Sequence, residues 1–143
     1  MADQQKRAHA LRSVLAVFAG LVTVFVTSTA ADAICHGTGI FPPPGTAMSS
    51  VLWLLATTYR AAFGVLGGYV TARLAPGRPL AHALALGWIG VTLSLAGTIS
   101  TWSMGPEFGP KWYPISLVVI ALPASWAGAM LLPAGTRRSE GAR

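Results

Sequence analysis

Four apolar runs dominate the chain, at about residues 13–34, 51–75, 80–101 and 113–133. Each is long enough to cross the hydrocarbon core of a bilayer, which takes roughly 20 residues of helix. Backbone polar groups at that depth have no water to bond to, and a helix satisfies them within itself. The expected fold class is therefore all-α, an integral membrane bundle of four transmembrane helices forming one domain over residues 1–143. Residues 1–12 and 134–143 are expected to be tails. Charged residues make up only 10% of the chain, against about a quarter in soluble domains. A soluble protein of this size has too much surface to cover with so few charges.

The breaks between the runs carry their own information. Pro76-Gly77-Arg78-Pro79 is a tight turn that stops one helix and starts the next, so the second and third helices form a short antiparallel hairpin. Pro114 suits the first turn of the fourth helix, and Pro123, inside it, is expected to kink it. The remaining connections, residues 37–45 and 105–110, are rich in Gly and Pro and read as stiff loops.

Orientation follows from positive charge in short loops. Lys6, Arg7 and Arg12 precede the first helix, Arg73 and Arg78 flank the hairpin, and Arg137, Arg138 and Arg143 follow the fourth helix. Lys111 lies alone on the opposite side and Arg60 falls within a helix, so both termini are expected in the cytoplasm. The net charge of +6 is then an orientation signal, and no nucleic-acid partner is expected. Trp102, Trp112 and Tyr113 cluster at the outer interface, as aromatic belts do. Arg outnumbers Lys and Ala and Gly are abundant, a bias of GC-rich bacteria, and the expected location is a bacterial inner membrane. The first run also has the layout of a signal peptide, with a basic start and an Ala31-Asp32-Ala33 cleavage pattern. Its apolar stretch is long for a signal, so a retained helix is expected.

Helix packing in lipid relies on small residues. Gly87, Gly90, Ser94 and Gly97 draw a seam down the third helix, Gly64 and Gly68 form a GxxxG pair in the second, and Ala121, Ser125 and Ala129 line the fourth. Thr57, Arg60, Gly64, Gly67 and Thr71 share one small, polar face of the second helix. These stripes are expected to pack helices within one chain.

Arg60 lies about 15 Å into its helix at 1.5 Å per residue, where a charged Arg costs at least about 2.5–3.5 kcal/mol. Asp32 is the nearest acid apart from loop residue Glu107, and an Asp32–Arg60 pair is expected, with the long Arg stem snorkelling toward the interface. His36, four residues after Asp32, shares its helical face and is placed to hydrogen-bond it. Asp32, His36 and Arg60 therefore form the candidate buried polar cluster. A metal site needs three or four ligands, and only Cys35 and Glu107 remain on that side, so no metal is expected. The single cysteine excludes an intrachain disulfide. His9 lies in the tail, His82 starts the third helix at the interface, and no pair of histidines at mid-membrane depth offers haem ligation. GxSxG, HExxH and phosphate-loop motifs are absent, so neither enzymatic activity nor a cofactor is expected.

The run Asp32-Ala33-Ile34-Cys35-His36-Gly37-Thr38-Gly39-Ile40-Phe41-Pro42-Pro43 resembles a family of small uncharacterised bacterial four-helix membrane proteins. Thr58-Tyr59-Arg60 leading into residues 67–76, Pro79-Leu80-Ala81-His82-Ala83-Leu84, and Gly109-Pro110-Lys111-Trp112-Tyr113-Pro114 resemble it too. The resemblance implies the four-span layout and no assigned activity. Cys35 departs from the pattern, which favours an apolar residue there. Multidrug exporters of the small resistance type match this chain in size but depend on a glutamate within the first helix, where this chain has no acid before Asp32.

Two expectations for function follow. The first is a non-enzymatic accessory or interaction subunit, bound to the bilayer and to a protein partner or copies of itself. The alternative is a small homo-oligomeric transporter or channel with Arg60, Asp32 and His36 lining its path.

Overall fold

In a computed structural model, which describes residues 1–133, the chain is all-helical: α1 Ala2–Gly37, α2 Ser50–Leu74, α3 Pro79–Thr101 and α4 Trp112–Met130. A 3-10 turn at Pro106–Phe108 interrupts the last connection. All four α-helices are long and apolar enough to cross a membrane, which marks a multi-pass membrane protein. The second tail, residues 134–143, lies outside the described residues.

The first tail does not stay apart from α1. The helix starts at Ala2 rather than near Ser13 and reaches 36 residues, about 54 Å at the helical rise. Residues 2–12 contain neither Gly nor Pro and are rich in Ala, Gln, Lys and Arg, all good helix formers. Asp3 in the first turn complements the helix dipole. Charge keeps this segment out of lipid without preventing it from being helical. At the other end of the chain α4 stops at Met130, short of Pro133. The α2–α3 turn is as tight as expected, with Pro79 at the first position of α3. It defines the hairpin end of the bundle; the α1–α2 and α3–α4 connections define the loop end.

Close contact is confined to a few pairs. α4 lies against both α2 and α3, while α1 packs on α2 and meets α3 only lightly. A Cβ on Gly68 would stand 2.4 Å from the Ser125 carbonyl oxygen, and one on Gly128 would stand 2.2 Å from that of Val65. The GxxxG pair thus serves the α2–α4 contact, and Gly87 and Gly90 bring α3 onto Leu122 and Ala121. Gly67 faces the other way, where it and Gly20 allow α1 to approach. Gly97, at the end of the expected α3 seam, has nothing within 4 Å of its would-be Cβ and packs no helix.

Apolar cores form at the two ends. Phe41, Trp53, Ala56 and Tyr113 make one at the loop end, and Ala72, Ala83, Ala129 and Leu132 make another at the hairpin end. Between them the bundle is hollow. The small residues that let α4 approach its neighbours leave little to fill the space toward α1.

Gly68→Ala should lower stability in detergent by about 1–3 kcal/mol, the range for overpacking, because the obstacle is backbone. Gly97→Ala should be neutral or slightly stabilising. Thermal unfolding of both variants checks the contrast.

Candidate functional site

Arg60 leaves α2 ten residues beyond Ser50, yet its guanidinium meets a residue near the end of α1 and another at the start of α4. Asp32 lies five residues before the end of α1 and Tyr113 is the second residue of α4. The side chain therefore runs toward the loop end, keeping its aliphatic stem in the apolar layer and its charge near the interface.

One guanidinium nitrogen, Nη2, donates to Asp32 Oδ2 at 2.5 Å. The other, Nη1, donates to the Tyr113 hydroxyl, and the Tyr59 hydroxyl donates to Asp32 Oδ1. Both carboxylate oxygens are thus engaged. The guanidinium carbon also sits 5.5 Å from the centre of the Tyr59 ring and 5.7 Å from that of Tyr113, within cation–π range. Three helices are joined through one cation. Charge-assisted bonds of this kind are the strong class of hydrogen bond, and lipid offers the same groups no substitute.

The loop end closes over this clamp. The Trp53 ring lies 4.4 Å from that of Tyr113, and Trp53 is held in turn by Gly109. That glycine has φ +92°, and a Cβ there would come within 2.8 Å of the indole, so only glycine serves. Phe41 folds back from the α1–α2 loop, its N–H donating to the Cys35 carbonyl at 2.9 Å.

His36 stands apart from the cluster. Its Nδ1 donates to the Pro42 carbonyl at 2.8 Å and its ring meets Phe41 edge-on at 5.4 Å, so it secures the loop instead of bonding Asp32. The Pro-rich turn brings an acceptor closer than the helical neighbour. Tyr113 departs from the expected aromatic belt too: Trp102 and Trp112 are exposed while Tyr113 is buried and turned onto Arg60. Cys35 is a half-buried free thiol against the loop-end core. His82 Nδ1 donates to the Arg78 carbonyl at 3.1 Å. Among the described residues, no three His, Cys, Asp or Glu side chains converge as metal ligands would.

Beside the clamp lies the hollow, a cavity of about 480 Å³ whose walls include Ser28 and Asp32 of α1, Arg60 of α2, Ser94 of α3, and Ala121 and Ser125 of α4. Phe25 on α1 and Leu93 on α3 also line it and are 69% and 58% exposed. The lightly packed seam between α1 and α3 is therefore its mouth. Several of the cavity's hydroxyls are left without the usual helical back-bond. Thr23, Thr27, Thr57, Thr92 and Thr98 each donate to a carbonyl one turn back. Ser28, Ser94 and Ser125 make no such bond and face the cavity. Small size marks Ser94 and Ser125 as packing residues in the sequence, where nothing distinguishes Ser28 or Gly20 and Tyr59 stands out only as the neighbour of Arg60. The acid–base pair is visible in composition, whereas a hydroxyl's surroundings depend on helix rotation.

Comparison with protein-family models, curated proteins and solved structures finds no match for this chain.

Asp32→Ala and Arg60→Ala should each lower stability by about 2–3 kcal/mol, as loss of a charged hydrogen-bond partner does, and the double variant should lose less than their sum. Tyr59→Phe should cost about 1 kcal/mol. Unfolding in mild detergent measures all four.

Proposed function

We propose that the protein is a non-enzymatic accessory or interaction subunit of a bacterial cytoplasmic membrane, inserted with both termini inside. It acts by contact with a membrane protein partner or with copies of itself. The closed clamp carries this reading. A transport path needs a charged group free to exchange partners with a solute, and here each carboxylate oxygen is already engaged, one by Tyr59 and one by Arg60. The charge is spent on holding α1, α2 and α4 in register. The excess of Lys and Arg in the tails and hairpin supports the orientation. The clamp also supports retention of α1, because cleavage after Ala33 would take Asp32 away and leave Arg60 without its counter-charge. A small homo-oligomeric transporter or channel is the second reading, and one observation favours it: Asp32 and Arg60 border the cavity. His36, bonded to Pro42, would lie off that path.

Purified from its own membranes in mild detergent, the protein should migrate with a second polypeptide or as a multimer, and its mass should include α1. A solitary species under every condition would contradict the proposal. Vesicles containing the protein should pass no protons, potassium or chloride. A flux abolished by Asp32→Asn in a folded variant would favour the second reading instead.

A further inference from the structure

We propose that the cavity is a binding site for one acyl chain of a bilayer phospholipid, which enters sideways between α1 and α3 with its ester carbonyl beside Arg60. The argument starts from access. The mouth, flanked by Phe25 and Leu93, opens along the apolar length of two helices that span the membrane, so what reaches it is the hydrocarbon of the bilayer. A void of this size is not left empty in a medium whose molecules can enter it, and the apolar wall of Leu21, Val24, Leu86 and Ile120 suits methylene groups.

The polar groups decide which end of the lipid goes where. Arginine carries five N–H donors, and Arg60 uses one toward Asp32 and one toward Tyr113. The rest are available to an acceptor in the cavity. Ser28 lies one turn below Asp32, and Ser94 faces it from α3; both hydroxyls are without partners and line the same space. These donors sit toward the loop end, close to the depth at which a glycerolipid's ester groups meet its hydrocarbon. From Asp32 to Leu21 the cavity follows α1 for about 16 Å, room for much of an extended chain. Charge selects the head. Asp32 already balances Arg60, so a neutral carbonyl is accommodated where a carboxylate would face the Asp32 charge. That favours an esterified chain over a free fatty acid. Phospholipid held in this way would fill the space between α1 and α4 and complete the bundle.

The test uses the full-length protein in phosphatidylglycerol vesicles doped with phosphatidylcholine carrying a diazirine midway along one acyl chain. After photolysis, adducts are mapped by mass spectrometry. Adducts should concentrate on the cavity-lining Leu21, Val24, Leu86 and Ile120 and be sparse on exterior residues such as Val119 and Leu95. Ser28→Phe, which fills the cavity from α1, should reduce these adducts about tenfold, the equivalent of about 1.4 kcal/mol of binding. Val119→Phe, on the exterior of α4, should leave them unchanged. Ala121→Leu fills the cavity from the opposite wall and gives the same reading should Ser28→Phe not fold. Labelling confined to exterior residues would overturn the proposal, as would cavity labelling that persists in a folded filling variant. Displacement of the labelled phospholipid by oleate at equal mole fraction would overturn the assignment to esterified chains.

Discussion

A positive charge that cannot be left alone in lipid organises this molecule. Arg60 begins within the apolar length of α2, and its free energy is acceptable only where a carboxylate and hydroxyls meet it. Asp32 and Tyr113 do so from the ends of α1 and α4. One side chain thereby fixes the register of three helices that would otherwise slide freely, since lipid gives apolar faces no preference for one another. The loop-end core follows from it. Tyr113 turns inward to reach Arg60, Trp53 stacks on Tyr113, and Gly109 is required beneath Trp53.

Small residues set the remaining geometry, with a consequence that is less obvious. Gly68 and Gly128 bring α2 and α4 to backbone contact, and Gly87 does the same for α3 and α4. Drawing α4 toward these two neighbours holds it away from α1, which packs mainly on α2 and lightly on α3. The cavity is the space left by that choice, so the close packing and the hollow have one cause. In water such a void would collapse or fill with solvent. In a bilayer it is available to lipid.

Much of this architecture could be read from the sequence because its signals are strong and local. Four apolar runs with Gly and Pro between them mark four helices, and the Asp32–Arg60 pair follows from a deep cation with one acid within reach. The clamp's other members were less legible. Tyr113 carries the same belt signal as Trp112 beside it, and only the rotation of α4 separates an interfacial ring from a buried hydroxyl. His36 shows the limit of helical spacing as an argument, since four residues of separation make contact with Asp32 possible, but the backbone of a neighbouring loop competed and won. The basic segment before Ser13 lies outside the apolar run yet is built of helix-favouring residues, so the edge of the run marks the apolar length and not the start of the helix. The cavity leaves no trace in composition, because the same serines and alanines occur in well-packed seams.

The central claim is that Arg60 is neutralised by Asp32 within the bundle and not by water or lipid phosphate. Solid-state NMR on the protein in bilayers, with labelled Arg guanidinium nitrogens and Asp carboxyl carbons, measures this directly. Among the described residues, Arg60 and Asp32 form the one Arg–Asp ion pair, at a nitrogen–oxygen separation of 2.5 Å. The account predicts a strong dipolar coupling between them that persists in vesicles and disappears in Asp32→Asn. A guanidinium coupled to lipid phosphorus or exchanging freely with water, with no contact to Asp32, would contradict it.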